Sequence, residues 1–167
     1  VGARTAGQLQ VYQYISGTDR WNPRGQLLSC GSNPTSPENE DGFAISLSDN
    51  GSRLAVGIPE PSPSTLVSRN AANGAVVGRV RVYDFDTTSD TWKRQEELLG
   101  SEAHDWTGFS VSLSGNGQFL AVGAPRHNNH VGKVSVYKYS PTSQQWEPLG
   151  DVLEGTAAAH DKFGFSA

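Results

Sequence analysis

Four histidines are the residues of this chain with the most adaptable chemistry: His104, His127, His130 and His160. Neighbouring imidazoles can bind zinc or copper, and a single imidazole can act as a general base. His127 and His130 are three residues apart, however, and no cysteine or carboxylate completes a known metal-binding spacing. We therefore predict no metal site, and interpret the histidines as surface loop residues or as ligand contacts.

Sequence motifs of common enzymes are missing. The chain has no Gly-x-Ser-x-Gly, no phosphate-binding loop and no His-Glu-x-x-His. Glu96 and Glu97 are adjacent, so on a strand their side chains point to opposite faces. Acid–base catalysis needs groups that converge on one substrate atom. These observations predict no catalytic residue in the chain and a protein that is not an enzyme.

Three sequence anchors recur along the chain and indicate structural repeats. The first is a glycine followed by an alternating segment and, 14 residues later, a tryptophan, at Gly7/Trp21, Gly78/Trp92 and Gly132/Trp146. The second is "DGFAISLS", "TGFSVSLS" and the truncated "FGFSA". The third is "LSDNGSRLAVGIP" at residues 47–59 and "LSGNGQFLAVGAP" at residues 113–125. Fixed anchors separated by loops of variable length indicate stacked modules.

Each repeat predicts four short strands. The segments after the anchor glycines alternate with period two and are rich in Val and Tyr, as strands are. Asn50-Gly51 and Asn116-Gly117 predict tight hairpins with positive φ at both residues. We predict an all-β chain of four-stranded antiparallel β-propeller blades, forming an incomplete ring of fewer than three blades. The predicted divisions are a half blade at 1–41, blades at 42–107 and 108–162, and the start of another at 163–167.

The repeat resembles the FG-GAP repeat of the integrin α-chain propeller, through Phe163-Gly164 and through Gly123-Ala124-Pro125. The resemblance implies a recognition or adhesion scaffold located outside the cell or at its surface. Repeats of that type often carry a calcium loop rich in Asp and Asn. Here the matching stretches offer a single carboxylate, Asp49, so we predict neither calcium nor any other cofactor.

Composition limits the partners. A net charge of −4 with no run of Lys or Arg argues against nucleic acid, and no apolar run is long enough for membrane insertion. An incomplete ring has open edges, so we expect either the remainder of a longer chain or further copies to close it. We favour a piece of a longer chain.

Candidate contact residues fall on one predicted rim, formed by the loops after Pro59 and Pro125 and after the Leu pairs. The loop at residues 60–77, which contains Arg69, is the longest, and long loops are often functional or disordered. The recurring tryptophans are expected to pack between blades, whereas Trp106 occurs once. We predict a protein or glycan ligand bound by six residues: His104, Trp106, Arg126, His127, His130 and Arg69.

Two alternatives stay open. The chain could belong to a propeller-fold enzyme acting on polysaccharides, with catalytic residues mostly outside this segment. It could also be a structural subunit that docks into a larger assembly through open blade edges. Asn50-Gly51-Ser52 matches a glycosylation acceptor, but its place in a predicted hairpin explains it without a glycan.

Overall fold

A computed structural model describes residues 2–5, 8–29, 44–59, 77–156 and 161–167, with the backbone alone for residues 2–5. The described residues form three antiparallel sheets and one short helical turn, α1 (His127–His130). This confirms the prediction of an all-β chain built from antiparallel sheets. Among the described residues, no helix is long and apolar enough to cross a membrane.

The strands follow the order of the sequence anchors. The first sheet contains β1 (Gly2–Thr5), β2 (Gln8–Ile15), β3 (Arg20–Pro23) and β4 (Leu28–Ser29). The second contains β5 (Ala44–Leu47), β6 (Arg53–Ile58), β7 (Val77–Asp86) and β8 (Thr91–Ala103). The third contains β9 (Ser110–Leu113), β10 (Phe119–Ala124), β11 (Lys133–Ser140), β12 (Gln145–Pro148) and β13 (Leu153–Glu154).

Sheet topology is that of consecutive hairpins. The second and third sheets pair in the orders β5-β6-β7-β8 and β9-β10-β11-β12, while β13 also pairs with β11. In the first sheet β2 pairs with β1 on one side and with β3 and β4. Strand β1 was not predicted, although Val1-Gly2-Ala3 repeats the Val-Gly-Ala of residues 122–124. The repeat divisions near residues 41, 107 and 162 stay predictions.

The hydrophobic core lies in two layers between the sheets. The layer between the first and second sheets contains Leu9, Val11, Leu28, Leu54, Val56, Ile58, Tyr83 and Trp92. The layer between the second and third contains Ala55, Val80, Val82, Val111, Leu113, Leu120, Val122 and Trp146. Because the second sheet is covered on both faces, β6 is a nearly continuous apolar run rather than a strictly alternating strand.

The recurring tryptophans divide into two groups. Trp92 and Trp146 are 3% and 4% exposed and belong to the two core layers, which confirms the packing role predicted for them. Trp21 is 56% exposed and lies on the first sheet, with its ring against Tyr14. Its exposure contradicts a core role among the described residues, because no described sheet lies against it.

Anchor glycines bring the backbones of neighbouring sheets into direct contact. A Cβ atom on Gly57 would overlap the carbonyl oxygen of Gly108, and one on Gly78 would overlap that of Thr107. The same arrangement recurs where Gly123 and Gly132 meet residues 163–164. The anchors are therefore glycine because the turn that begins one repeat packs against the previous sheet with no space for a side chain.

Phe163-Gly164 was expected to begin a further blade. Phe163 forms an isolated parallel bridge with Gly132, and the Ser110 hydroxyl donates a hydrogen bond of 2.8 Å to the Gly164 carbonyl. Phe163-Gly164 therefore pack against the glycines of the third sheet in the same way that Thr107-Gly108 pack against the glycines of the second sheet.

The Asn-Gly hairpins form at the predicted places with a different geometry. Only the glycines have positive φ, +64° at Gly51 and +67° at Gly117. The Gly51 amide donates to the Ser48 carbonyl at 2.8 Å, as in a type I turn followed by a left-handed glycine. The Asn50 Oδ1 accepts hydrogen bonds from the Ser52 amide and from two serine hydroxyls, so Asn50 has a structural role in the turn.

We expect Gly57→Ala to lower the free energy of unfolding by about 3 kcal/mol, because the new methyl group must displace the Gly108 backbone. Gly17→Ala is the matched control, since no atom lies within 4 Å of a Cβ at that position. The control should change stability by no more than about 0.5 kcal/mol. Urea denaturation measures both, and equal losses would contradict the proposed role of the glycine contacts.

The environment of Glu97 predicts that part of the free energy of unfolding depends on pH in the acid range. Burial would raise its pKa, but the hydrogen bond from Arg81 and the charges of Arg81 and Arg79 outweigh burial and hold the pKa below its usual 4.5. Because the pKa of Glu97 is lower in the folded than in the unfolded chain, the ionised carboxylate stabilises the fold at pH values above 4.5. This stabilisation is lost as the pH falls through the lowered pKa.

Glu97→Gln should therefore destabilise the fold at about pH 7 and have a smaller effect at about pH 3. Urea denaturation at both values measures the difference, with the exposed Glu147 of β12, replaced by Gln, as control. A destabilisation by Glu97→Gln that is the same at both pH values would show that its charge is not responsible.

Candidate functional site

A pocket of about 360 Å³ lies where the end of β8 meets the loop between β10 and β11. Its walls are Glu102, Ala103, His104, Asp105, Arg126, His127, Asn128, Asn129 and His130. We call this cavity the rim pocket. The segment between β8 and β9 and the segment after Pro125 both contribute to it, so the loops predicted to share a rim do converge.

His127 lies between two carboxylates. Its Nδ1 is 3.3 Å from the Glu102 carboxylate and its Nε2 is 3.6 Å from the Glu154 carboxylate. The imidazole is 12% exposed, whereas the glutamates are 56% and 53% exposed. Nδ1 is buried and has no hydrogen-bond partner among the described residues. Small movements of the glutamates are therefore enough to complete an imidazole–carboxylate hydrogen bond.

The backbone of α1 is strained. Asn128, Asn129 and His130 have φ values of 48°, 54° and 69°, so the turn is left-handed. A left-handed residue other than glycine costs roughly 1–2 kcal/mol, with Asn the most tolerant. Strained backbone of this kind concentrates at functional sites, where the surrounding structure maintains it. Two backbone bonds close the turn, from Val131 N to Asn128 O and from Gly132 N to His127 O.

Arg126 is held by an aromatic stack. Its guanidinium carbon lies 3.4 Å from the centre of the Trp106 ring. Trp106 is stacked on Phe109 at 5.4 Å with an interplanar angle of 9°, and Phe109 contacts Phe165 at 4.9 Å. A guanidinium over an aromatic face keeps its N–H edge free for an anion. The stack therefore fixes a positive charge among the residues that line the rim pocket.

A buried ion pair lies beneath the loop. Asp105 is 1% exposed and accepts hydrogen bonds from the Thr107 amide and hydroxyl, while Lys133 Nζ is 3.3 Å from its Oδ2. Lys133 also donates to the Ser101 hydroxyl at 3.1 Å. The Asp105 carbonyl accepts the Arg126 amide at 3.2 Å. Asp105 thus fixes the loop before β9.

A second cavity of about 190 Å³ adjoins this ion pair, between β8 and strands β10 and β11. Lys133, Thr107 and Tyr137 are among its lining residues. Burial raises the pKa of the Tyr137 hydroxyl, against the opposing effect of its hydrogen bond with Ser135. The tyrosine is therefore a neutral hydrogen-bonding group around neutral pH.

Most of the predicted contact residues meet at this site. His104, Arg126, His127 and His130 line the rim pocket, and Trp106 lies under Arg126. Arg69, the rest of its loop up to residue 76, Cys30 and His160 lie outside the described residues. A ligand-binding role for all six predicted residues stays a prediction.

Sequence reasoning missed Glu102 and Glu154 as partners of His127. They lie 25 residues before it and 27 residues after it, so no local spacing could reveal the contact. Among the described residues, no group of three or more His, Cys, Asp or Glu side chains could hold a metal ion.

Comparisons with known proteins add information about the fold. No family model matches the chain, and no curated protein matches it. A crystal structure from Bacteroides fragilis, of a protein provisionally assigned as a 6-phosphogluconolactonase, is similar with a TM-score of 0.52 and 15% identity. The alignment covers 90% of this chain and 34% of that one. The chain therefore has a propeller-like fold and spans about a third of that neighbour.

This comparison corrects the family resemblance. The structural neighbour is not an FG-GAP integrin repeat, so the predicted FG-GAP family and the cell-adhesion function derived from it are wrong. The physical reason is that the repeated glycines satisfy close sheet packing, a requirement of the fold rather than a signature of one family. The predicted extracellular location rested on the same resemblance and stays untested.

The prediction that the chain is not an enzyme is also contradicted, because the neighbour is assigned to an enzyme class. That prediction relied on the absence of contiguous motifs. The rim pocket instead combines titratable groups from two separate segments, and His127 also lies near Glu154 of a third segment. Such a site leaves no contiguous motif in the sequence.

We expect Lys133→Met to destabilise the chain by about 3 kcal/mol, because it leaves the buried Asp105 carboxylate without its cation. Lys138→Met is the matched control on the same strand, where the side chain is exposed. Chemical denaturation should show a change of no more than about 0.5 kcal/mol for the control. Equal effects would mean that the buried pair does not stabilise the loop.

Proposed function

We propose that the chain is part of a propeller-fold hydrolase whose rim pocket opens a sugar lactone, with a phosphorylated lactone as the preferred substrate. The observation that carries the proposal is the His127 imidazole between Glu102 and Glu154, next to the Arg126 guanidinium. The assignment of the structural neighbour as a 6-phosphogluconolactonase supports the substrate class. Because the chain spans about a third of that neighbour, the activity of the whole protein is part of the proposal.

His127 is suited to act as the general base. A carboxylate beside Nδ1 orients the ring and stabilises the imidazolium that forms during proton transfer. Glu102 is in position for this role at 3.3 Å. Nε2 then takes a proton from a water molecule as the water oxygen attacks the lactone carbonyl carbon. The bond between that carbon and the ring oxygen breaks, and the imidazolium returns its proton to the leaving oxygen. One water is consumed and a hydroxy acid is formed.

Arg126 supplies the charge that would select a phosphorylated substrate. Its guanidinium is fixed over Trp106, and a guanidinium can bind two phosphate oxygens at once. Asn128 and Asn129 line the same pocket, and their amides can bond to sugar hydroxyls. An anion held at Arg126 would leave the uncharged lactone end for His127.

The proposal is tested by following acid release from 6-phosphogluconolactone and from unphosphorylated gluconolactone, after subtraction of spontaneous hydrolysis. His127→Gln should lower kcat for both substrates by about 10²-fold, the usual contribution of a general base. Arg126→Gln should raise KM for the phosphorylated substrate and leave the unphosphorylated one unchanged. Arg20→Gln is the control, since that arginine is exposed on β3.

Two results would count against the proposal. Hydrolysis no faster than the spontaneous reaction would exclude lactonase activity of this chain. Turnover that is unaffected by His127→Gln would show that the rim pocket is not the catalytic site.

A further inference from the structure

The second cavity, between the second and third sheets, lies where the repeat has smaller side chains than at the preceding interface. Ala124 occupies the repeat position of Ile58, and Ser135 occupies the repeat position of Arg81. Between the first and second sheets, Ile58 belongs to the core layer. The Arg81 guanidinium reaches across that interface and donates to the Ser29 carbonyl at 3.2 Å. Alanine and serine are too short to span the equivalent space, so a cavity of about 190 Å³ remains.

Hydrogen-bonding groups converge on this cavity. Among the described residues, Lys133 Nζ has two partners, Ser101 Oγ at 3.1 Å and Asp105 Oδ2 at 3.3 Å. An ammonium has one more N–H donor than these partners use, so a donor is left for a ligand. The hydroxyls of Ser135 and Tyr137 bond to each other, which leaves a hydroxyl hydrogen and lone pairs available. The cavity therefore offers both donors and acceptors.

The charge in the cavity is already balanced. Lys133 is the charged residue of the lining, and its ammonium is paired with the buried Asp105 carboxylate. A ligand with a net charge of either sign would lose its hydration without gaining a counterion. The lining also includes the apolar side chains of Leu99, Val122 and Ala124. The cavity therefore favours a neutral molecule that has hydroxyl groups on one edge and carbon–hydrogen groups on the other.

The volume of the cavity limits the size of its ligand. An apolar cavity of about 150 Å³ can hold benzene. A cavity of about 190 Å³ therefore suits a molecule of roughly six to eight non-hydrogen atoms. Drug-sized ligands need pockets of about 300 Å³ or more. Glycerol and erythritol have the required size, and they carry a hydroxyl group on every carbon.

We propose that the second cavity is a binding site for a small neutral polyol of the size of glycerol or erythritol. One hydroxyl oxygen of the polyol accepts the remaining Lys133 N–H, and a neighbouring hydroxyl bonds to the hydroxyls of Ser135 and Tyr137. The carbon chain packs on Val122 and Ala124. None of these five residues lines the rim pocket, so the site does not depend on the proposed hydrolase function.

Amide NMR of the isotope-labelled protein tests the proposal, with glycerol, n-butanol and acetate as probes. Glycerol should shift the amide signals of Val122, Ala124 and Ser135, and the shifts should saturate in the millimolar range. Butanol has a single hydroxyl group and acetate is charged, so neither should give a saturable shift at these residues. Saturation by butanol or acetate at the same concentrations as glycerol would overturn the proposal.

Two variants locate the site. Ala124→Ile puts the larger side chain of the preceding interface into the cavity and should abolish the saturable shifts. Tyr137→Phe removes one hydroxyl group and keeps the ring, so it should weaken glycerol binding about fivefold, as expected for the loss of one hydrogen bond. Tyr12→Phe is the matched control at the same repeat position of the first sheet, and it should bind glycerol as wild type does.

Three results would overturn the proposal. A cavity that holds only water would give no saturable shift with glycerol. Glycerol shifts confined to residues of the rim pocket would place the polyol there instead. Equal affinities of wild type, Tyr137→Phe and Tyr12→Phe would show that the Tyr137 hydroxyl does not contact the ligand. Circular dichroism checks the fold of each variant, and the two tyrosine variants decide the test if Ala124→Ile does not fold.

Discussion

Close contact between backbones at glycine is the constraint on which the rest of this structure depends. Gly57 and Gly78 of the second sheet lie directly against Thr107 and Gly108, which begin the third. Any side chain at these positions would separate the sheets and open the apolar layers between them. The apolar packing then fixes the remaining strands, so the glycine spacing and the hydrophobic core specify the same arrangement.

The same contact positions the rim pocket. The segment before Gly108 is held against the second sheet, and within it Asp105 bonds to Thr107 and Lys133. Arg126 is tied to this segment through the Asp105 carbonyl and the Trp106 ring. His127 follows directly in the chain. A rigid repeat contact and a buried ion pair therefore support loops whose left-handed backbone would be unfavourable in isolation.

Regular features of the fold could be predicted from the sequence, and features that depend on tertiary contact could not. Alternation of Val and Tyr with polar residues predicted β7 and β11, and Asn-Gly pairs predicted the hairpins. The prediction of a positive φ at Gly51 is confirmed. The prediction of a positive φ at Asn50 is wrong, because the Asn50 side chain accepts a hydrogen bond from the Ser52 amide and closes a wider turn. The exposure of Trp21 could not be predicted, because it depends on which sheet lies against it.

The candidate site was predicted in its location but not in its chemistry. The histidines and Arg126 were expected on one rim, and those in the described residues do converge there. The two glutamates beside His127 come from distant segments, so only the folded chain reveals an imidazole between carboxylates. The absence of contiguous motifs is therefore uninformative about a site whose residues come from distant segments.

Histidine-selective NMR during titration with 6-phosphogluconate, the product of the proposed reaction, tests the central claim most directly. The account predicts that the ring signals of His127 and His130 shift and saturate together, and that Arg126→Gln weakens this binding. Ring signals that stay unchanged at saturating 6-phosphogluconate would contradict the claim that the rim pocket binds a phosphorylated sugar acid.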